Sequence, residues 1–191
     1  VVCPENFRFR NSVLFDNIFS WSTDCCGAPN NLTLIKLPIP LNENKVNKIN
    51  DFENRDLLVA ISSNKGSYKK GSLDNTKIKH YRILSKYLKT NFKVYGFGWN
   101  QSFFSWLVKL LRGTKTRFYF KKPSYLYGEV ENKFDILNRY KFNIIFENCI
   151  DKAFITEKIF DAIRAGCIPV YLGAPDIQKY IPSKCFIDIR D

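Results

Sequence analysis

The sequence contains no methionine and a single histidine, His80. Its six cysteines, Cys3, Cys25, Cys26, Cys149, Cys167 and Cys185, form no C-x-x-C pair. The ligand sets of structural zinc sites are therefore missing, and no metal site is expected. No apolar run approaches the ~18 residues of a membrane-spanning helix, and no secretory leader pattern is visible. The glycine-rich dinucleotide fingerprint and the Walker pattern are both absent, which argues against NAD-dependent and simple ATPase chemistry. No internal repeat occurs. The chain opens in a strand-like Val1-Val2-Cys3 and ends in the apolar alternation from Cys185 to Asp191, so it is expected to be a piece of a longer protein.

What is present is globular in character. The 191 residues suffice for one large domain or two small ones, and 45% hydrophobic with 25% charged residues is an ordinary balance for a packed chain. Thirty Lys and Arg against 18 Asp and Glu leave a net charge of +12. That excess suggests an anionic partner: a nucleotide, a nucleic acid or an acidic membrane surface. It is also local. Residues 65–93 carry nine Lys or Arg against one Asp, and residues 101–122 carry six against no acid, so the remainder is slightly acidic. Most of these cations are expected to form solvated loop and helix faces, with one or two lining an anion site. Cys149, Cys167 and Cys185 sit among apolar residues, where a reduced thiol packs as a small hydrophobe. This favours a reducing compartment. The sequons Asn31-Leu-Thr33 and Asn100-Gln-Ser102 would permit glycosylation in a secretory lumen, so both settings stay open.

Along the chain, residues 1–40 hold short β-like pieces, and Asn42 to Arg55 is a polar linker or surface loop. Leu57 to Ser62 reads as a buried strand, Thr76 to Lys89 as a helix, Phe92 to Tyr95 as a strand, and Gln101 to Arg112 as a short amphipathic helix. Glu129 to Tyr140 looks helical, Phe142 to Phe146 is a strand, Thr156 to Ala165 a helix and Ile168 to Leu172 a strand. Alternating strands and helices predict a mainly parallel α/β sheet covered on both faces. The apolar side of the 101–112 helix is expected to pack on the sheet. Resting on an anionic lipid surface is the alternative.

One unit concentrates polar chemistry. In Phe146-Glu-Asn148 a strand ends in an acid and an amide, and Thr156-Glu-Lys158 opens the next helix. Ligands of open α/β sheets bind beyond the strands' carboxyl ends, where helix N-termini favour phosphate. Lys158 adds a mobile positive charge there. Glu157 would repel phosphate, but suits the hydroxyls of a ribose. An amide, a carboxylate and an ammonium at a helix start therefore describe a sugar-nucleotide site, with Asn148, Glu157 and Lys77 expected to converge on one cleft. The bland alternative is routine dipole compensation by Glu157 and a solvated Lys158.

The stretch from Tyr140 to Asp191 resembles the signature region of the α1,3/α1,4-fucosyltransferases, glycosyltransferase family 10. The resemblance lies in Tyr140-Lys-Phe142, Phe146-Glu-Asn148, Thr156-Glu-Lys158, Ile168-Pro-Val170 and Cys185-Phe-Ile187. Upstream, Pro4-Glu-Asn6, Leu37 to Pro40, Ser62 to Asn64 and Lys77 to Tyr81 look like further family segments in the same order. The resemblance implies a GT-B-like α/β fold with two Rossmann-like domains facing a cleft. Residues 1–56 would then end the acceptor-side domain and supply a linker, and residues 57–191 would form most of the donor domain. It implies inverting transfer of L-fucose from GDP-fucose to a hydroxyl of a glycan acceptor, GlcNAc in a lactosamine-type or lipopolysaccharide glycan, with no cofactor or metal required. Residue by residue, it places Glu5 as general base. Lys77 falls on the position of a phosphate-binding arginine, and Asn148 on a donor-contacting amide. Phe154 falls where some members have a donor-binding tyrosine, Glu157 on a ribose ligand and Lys158 on a diphosphate ligand. Pro4 replaces a glycine. A bacterial-type member would be cytoplasmic, with peripheral membrane contact as an option; a eukaryotic one would sit in the Golgi lumen. Two rivals are a GT-B transferase using another sugar nucleotide and a basic nucleic-acid-binding module, for which aromatics interleave with basic residues in Arg117 to Gly128. No nucleic-acid motif is present, and the acids at the proposed site would repel a phosphate backbone, so no nucleic-acid partner is expected.

Overall fold

The structure, a computed structural model, describes residues 18–20, 32–34, 51–64, 72–99, 102–111, 118–119 and 121–190. Two short strands, β1 (Ile18–Ser20) and β2 (Leu32–Leu34), pair in parallel. The main body is a five-stranded sheet built from β3 (Asp56–Ile61), β4 (Phe92–Tyr95), β5 (Tyr140–Phe146), β6 (Ile168–Leu172) and β7 (Ile187–Asp188), in the order β4-β3-β5-β6-β7. Every neighbouring pair in it is parallel. Strands covered on both faces have little polar alternation, which is why β3 and β5 read as mainly apolar runs in the sequence.

Side chains of a strand alternate between faces, and here they sort into two cores. Val59, Ile145 and Tyr171 face one side with Ile159 and Ala162 of α4 (Glu157–Arg164) and Phe134 and Leu137 of α3 (Lys133–Leu137). Leu58, Ala60, Ile144, Phe146 and Leu172 face the other with Ile78 and Tyr81 of α1 (Asp74–Leu88). The split follows from topology. The crossover from β3 to β4 through α1 steps one way across the sheet, and that from β5 to β6 through α4 steps the other. Crossovers of one hand then lay their helices on opposite faces. The reversal falls between β3 and β5, the crevice where open α/β sheets take ligands.

Three local expectations are corrected. The helix read over 129–140 is five residues long. The chain before it is held against β4, with the Tyr127 N–H donating to Val94 O at 2.7 Å and the Gly96 N–H to Gly128 O at 3.0 Å. The helix starts only where the Asn132 side chain accepts the Phe134 N–H at 3.0 Å. In α2 (Phe103–Leu111), Phe103 and Trp106 pack on Phe118, while Phe104 and Leu111 are 75% and 79% exposed rather than packed on the sheet. Cys185 is exposed, whereas Cys167 is buried, donates weakly to Leu137 O at 3.0 Å, and has its thiol pushed up to about 12 by burial. Among the described residues no helix is long and apolar enough to cross a membrane.

Arg55 ties the amino edge of the sheet together. It is 7% exposed and donates to the carbonyls of Tyr140, Ala165 and Gly166, thereby joining the start of β5 to the α4–β6 turn. Replacing Arg55 by Met keeps the apolar stem but strands those carbonyls. Urea titration should show the Arg55→Met variant less stable by about 1.5–3 kcal/mol.

Candidate functional site

A cleft of about 490 Å³ opens at the carboxyl edge, within the range of small-molecule sites. Its lining includes Ile61, Ser62 and Ser63 at the end of β3, and Gly96 and Phe97 after β4. Asn143 and Ile145 of β5 join Glu157, Lys158 and Asp161 of α4 along one wall. Glu129 and Glu131, on the lead into α3, and Lys133, the first residue of that helix, also line it. The first two loops are zipped together: the Asn64 N–H donates to Phe97 O at 2.8 Å and Trp99 Nε1 donates to Ser62 O at 2.7 Å. Gly96 makes this possible. It sits at φ +137, and a Cβ there would lie 2.2 Å from Ser62 O.

The hub of the site is Glu147, the residue after β5. Its side chain is fully buried. Oε1 accepts the Thr156 N–H at 2.9 Å, while Oε2 accepts the Thr156 hydroxyl and the Lys158 ammonium, each at 2.8 Å. A strand-end carboxylate thus fixes the entry to α4, where the helix dipole favours negative charge. Tyr171 supports it from β6. Its hydroxyl accepts the Ala174 N–H at 3.1 Å, and its phenol is pushed far up by burial first and by the Glu147 charge second. Gly173 is the residue that allows this closeness, since a Cβ there would stand 2.3 Å from the Tyr171 oxygen and 2.5 Å from Glu147 Cγ.

Lys158 is consequently an oriented cation. An ammonium has three donors. Glu147 takes one, and Asn148 Oδ1 lies 3.4 Å from Lys158 Nζ along a second direction. Asn148 itself is exposed, and its carbonyl accepts the Leu73 N–H at 3.0 Å, which anchors the start of α1. Lys77, in the first turn of α1, is 7% exposed. Its ammonium donates to Asp74 Oδ1 at 2.6 Å and to Ser63 O at 3.3 Å. The expectation that Lys77, Asn148 and Glu157 share one cleft needs correction. α1 and α4 pack on opposite faces, and the lining takes up Glu157 and Lys158, while Lys77 and Asn148 stand one contact behind it. Phe154 is 3% exposed and is not part of the lining. Glu5 lies outside the described residues.

Further groups went unread in the sequence. Glu147 was quoted within Phe-Glu-Asn but given no role; the available signal was an acid placed directly after an apolar strand. Asp161 is 2% exposed and donor-bound through Oδ2 to the Lys133 ammonium. Burial, the largest influence, and the nearby Glu157 raise its carboxyl above the usual range, against the opposing pull of Lys133. Its signal was an acid on the apolar side of α4, between Ile159 and Ala162. Asn143 was an amide in the middle of an apolar strand. Among the described residues no group of three or more His, Cys, Asp or Glu is placed to hold a metal ion.

The comparisons with known proteins agree with this architecture. The family model "Glycosyltransferase family 10 (fucosyltransferase) C-term" matches residues 69–191. An α-(1,3)-fucosyltransferase of Helicobacter pylori is 42% identical over 62 residues, 32% of this chain and 13% of that protein. A GDP-fucose protein O-fucosyltransferase 3 of Xenopus laevis is 44% identical over 48 residues, 25% of this chain and 10% of that protein. The chain therefore matches only a small part of these relatives' length. In fold it is similar to a crystal structure of an α1,3-fucosyltransferase with GDP, with a TM-score of 0.58 and 19% identity over 99% of this chain and 56% of that one.

Two outcomes follow from the buried acids. Glu147→Gln keeps the shape but turns one acceptor oxygen into an N–H donor that faces the Thr156 N–H or the Lys158 ammonium, and should cost about 1.5–3 kcal/mol in denaturant titrations. For Asp161 the folded carboxyl titrates above the unfolded one. Its contribution is fully present below the ordinary carboxylate range and is lost as pH rises through the raised value. Thermal melts across that window should show this loss in the parent and not in Asp161→Asn.

Proposed function

Because the chain belongs to glycosyltransferase family 10, the fucosyltransferases, we propose that it carries the donor-binding part of an inverting enzyme that moves L-fucose from GDP-fucose to a glycan hydroxyl. The observation that carries this reading is the cleft at the switch point of the parallel sheet, with Glu157 and an oriented Lys158 at the start of α4. In this reading residues 57–191 form the donor domain and residues 1–56 belong to the acceptor side.

The roles follow from chemistry. Glu157 accepts hydrogen bonds from the ribose hydroxyls. Lys158, aimed by Glu147 and Asn148, turns its remaining N–H toward a diphosphate oxygen. The same partners limit its flexibility, so its charge is in place before the donor arrives and costs little reorganisation during reaction. Lys77 acts at one remove, by supporting the Ser63 carbonyl in the cleft wall. On the acceptor side the Glu5 carboxylate takes the proton of the attacking hydroxyl. The acceptor oxygen bonds to C1 of fucose from the face opposite the departing diphosphate, and the C1–O bond breaks with its electron pair leaving on GDP. Configuration at C1 inverts. The acceptor in this reading is a GlcNAc-containing glycan.

The test uses the full chain. Calorimetry should detect GDP binding, and Glu157→Ala should weaken it by about tenfold to a hundredfold, the worth of a charge-assisted hydrogen bond. Glu5→Gln should leave GDP-fucose affinity near normal while lowering transfer to N-acetyllactosamine by about 10²–10⁴-fold. Unchanged GDP affinity in Glu157→Ala would remove the donor-site assignment, and parental turnover in Glu5→Gln would remove the base.

A further inference from the structure

The apolar side of α2 takes no part in the cleft. Phe103, Phe104, Leu107, Leu110 and Leu111 fall within about 120° of the helix circumference at 3.6 residues per turn. Phe103 and Trp106 rest on Phe118 at the edge of this stripe. Even so, Phe103 and Leu110 remain about half exposed, and Phe104 and Leu111 about three-quarters. A single exposed apolar side chain is ordinary; four on one helix face form a patch that marks an interaction surface.

The charge around the patch is of one sign. Between Asp74 and Glu129 the chain carries twelve Lys or Arg and no acid, a run that takes in α1 beyond its first residue and the whole of α2. On α1, Lys79, Arg82 and Lys86 are exposed along one face, with Ile83 and Tyr87 exposed beside them. One segment joins this face to α2. Tyr125 stands within electrostatic reach of Arg82 and Tyr119, and Phe118, the neighbour of Tyr119, is the residue on which α2 rests.

We propose that α2 docks on an anionic lipid bilayer, its apolar stripe lying at the boundary of headgroups and acyl chains while the basic face of α1 meets the lipid phosphates. Charge complementarity selects this occupant. A second copy would bring a face of the same charge against this one. A nucleic acid stacks its bases on aromatic rings, which leaves Leu110 and Leu111 without a role. Hydrocarbon accepts leucine and phenylalanine alike, and helices with such a face and cationic flanks lie in the plane of the interface. Tyr87 suits the headgroup level, where tyrosines collect. None of these residues lines the cleft, so docking and donor binding are separable.

The experiment is flotation of the full chain with vesicles of phosphatidylcholine alone, or mixed in equal parts with phosphatidylglycerol. The parent should float with the mixed vesicles and not with phosphatidylcholine, and added salt should weaken the binding. Phe104→Ser combined with Leu111→Ser should lower the partition coefficient by at least about tenfold. Lys79→Gln combined with Lys86→Gln should lower it by about twentyfold, at about fivefold per lysine near an anionic surface. Both double variants should keep the parental melting temperature, because the replaced side chains are exposed. Ile187→Ser, at an exposed apolar residue of β7, should bind vesicles like the parent. A parent that ignores the mixed vesicles, that binds both kinds equally, or that is matched by the Phe104 and Leu111 variant would overturn the proposal. So would a parent dimer in sedimentation equilibrium that this variant dissociates, which would assign the stripe to a second copy. Salt-sensitive binding to a single-stranded oligonucleotide with none to vesicles would overturn it in favour of nucleic acid.

Discussion

A carboxylate with no solvent contact organises the carboxyl edge of this sheet. Glu147 ends β5, and its two oxygens are shared among the Thr156 backbone, the Thr156 hydroxyl and the Lys158 ammonium. A buried charge without such partners would cost several kcal/mol. Its neighbours are consequently fixed to one another. The loop from Asn148 to Ile155 must return α4 directly over the strand that precedes it. Gly173 must lack a side chain so that β6 can pass close by. Ala153 takes a positive φ of 58 within that loop, where its N–H is held by Asp176 Oδ1 at 2.8 Å. The strain of that conformation is sustained because the surrounding bonds over-determine it.

The same constraint holds Lys158 in place. A solvated lysine samples many rotamers and loses that freedom on binding a ligand. One clamped between a buried carboxylate and an amide has already lost it. The clamp also lowers the net positive charge at the start of α4. The cation-rich stretches at 65–93 and 101–122 hold the chain's positive excess. The cleft itself is lined by more acids than lysines.

Strand order sets the remaining geometry. The two crossovers leave the β3–β5 junction in opposite directions, which opens the crevice between them and sends α1 and α4 to opposite faces. Lys77 and Glu157 both stand in the first turn of a helix at the carboxyl edge, yet only Glu157 reaches the cleft. Lys77 reaches it through the Ser63 carbonyl.

The sequence by itself determined the parallel α/β class, because strands covered on both faces must be mainly apolar; β4 and β6 lie where their apolar runs place them. It also marked the strand–loop–helix unit at Phe146, because helix starts and strand ends carry local signals. Family resemblance in that unit led to the same family as the match over residues 69–191. Short helices were less legible: the helix read over 129–140 starts only at Lys133, because the segment before it is bonded to β4 and the residue after it, far earlier in the chain. The roles of Glu147, Asn143 and Asp161 were not legible at all. Whether an acid is solvated, clamped or orphaned depends on which strands and helices close around it. Only the assembled sheet, with β5, β6 and α4 brought together, decided that Glu147 is a buried hub and that, among the described residues, Asn143 Oδ1 and Asp161 Oδ1 are buried without a hydrogen-bond partner.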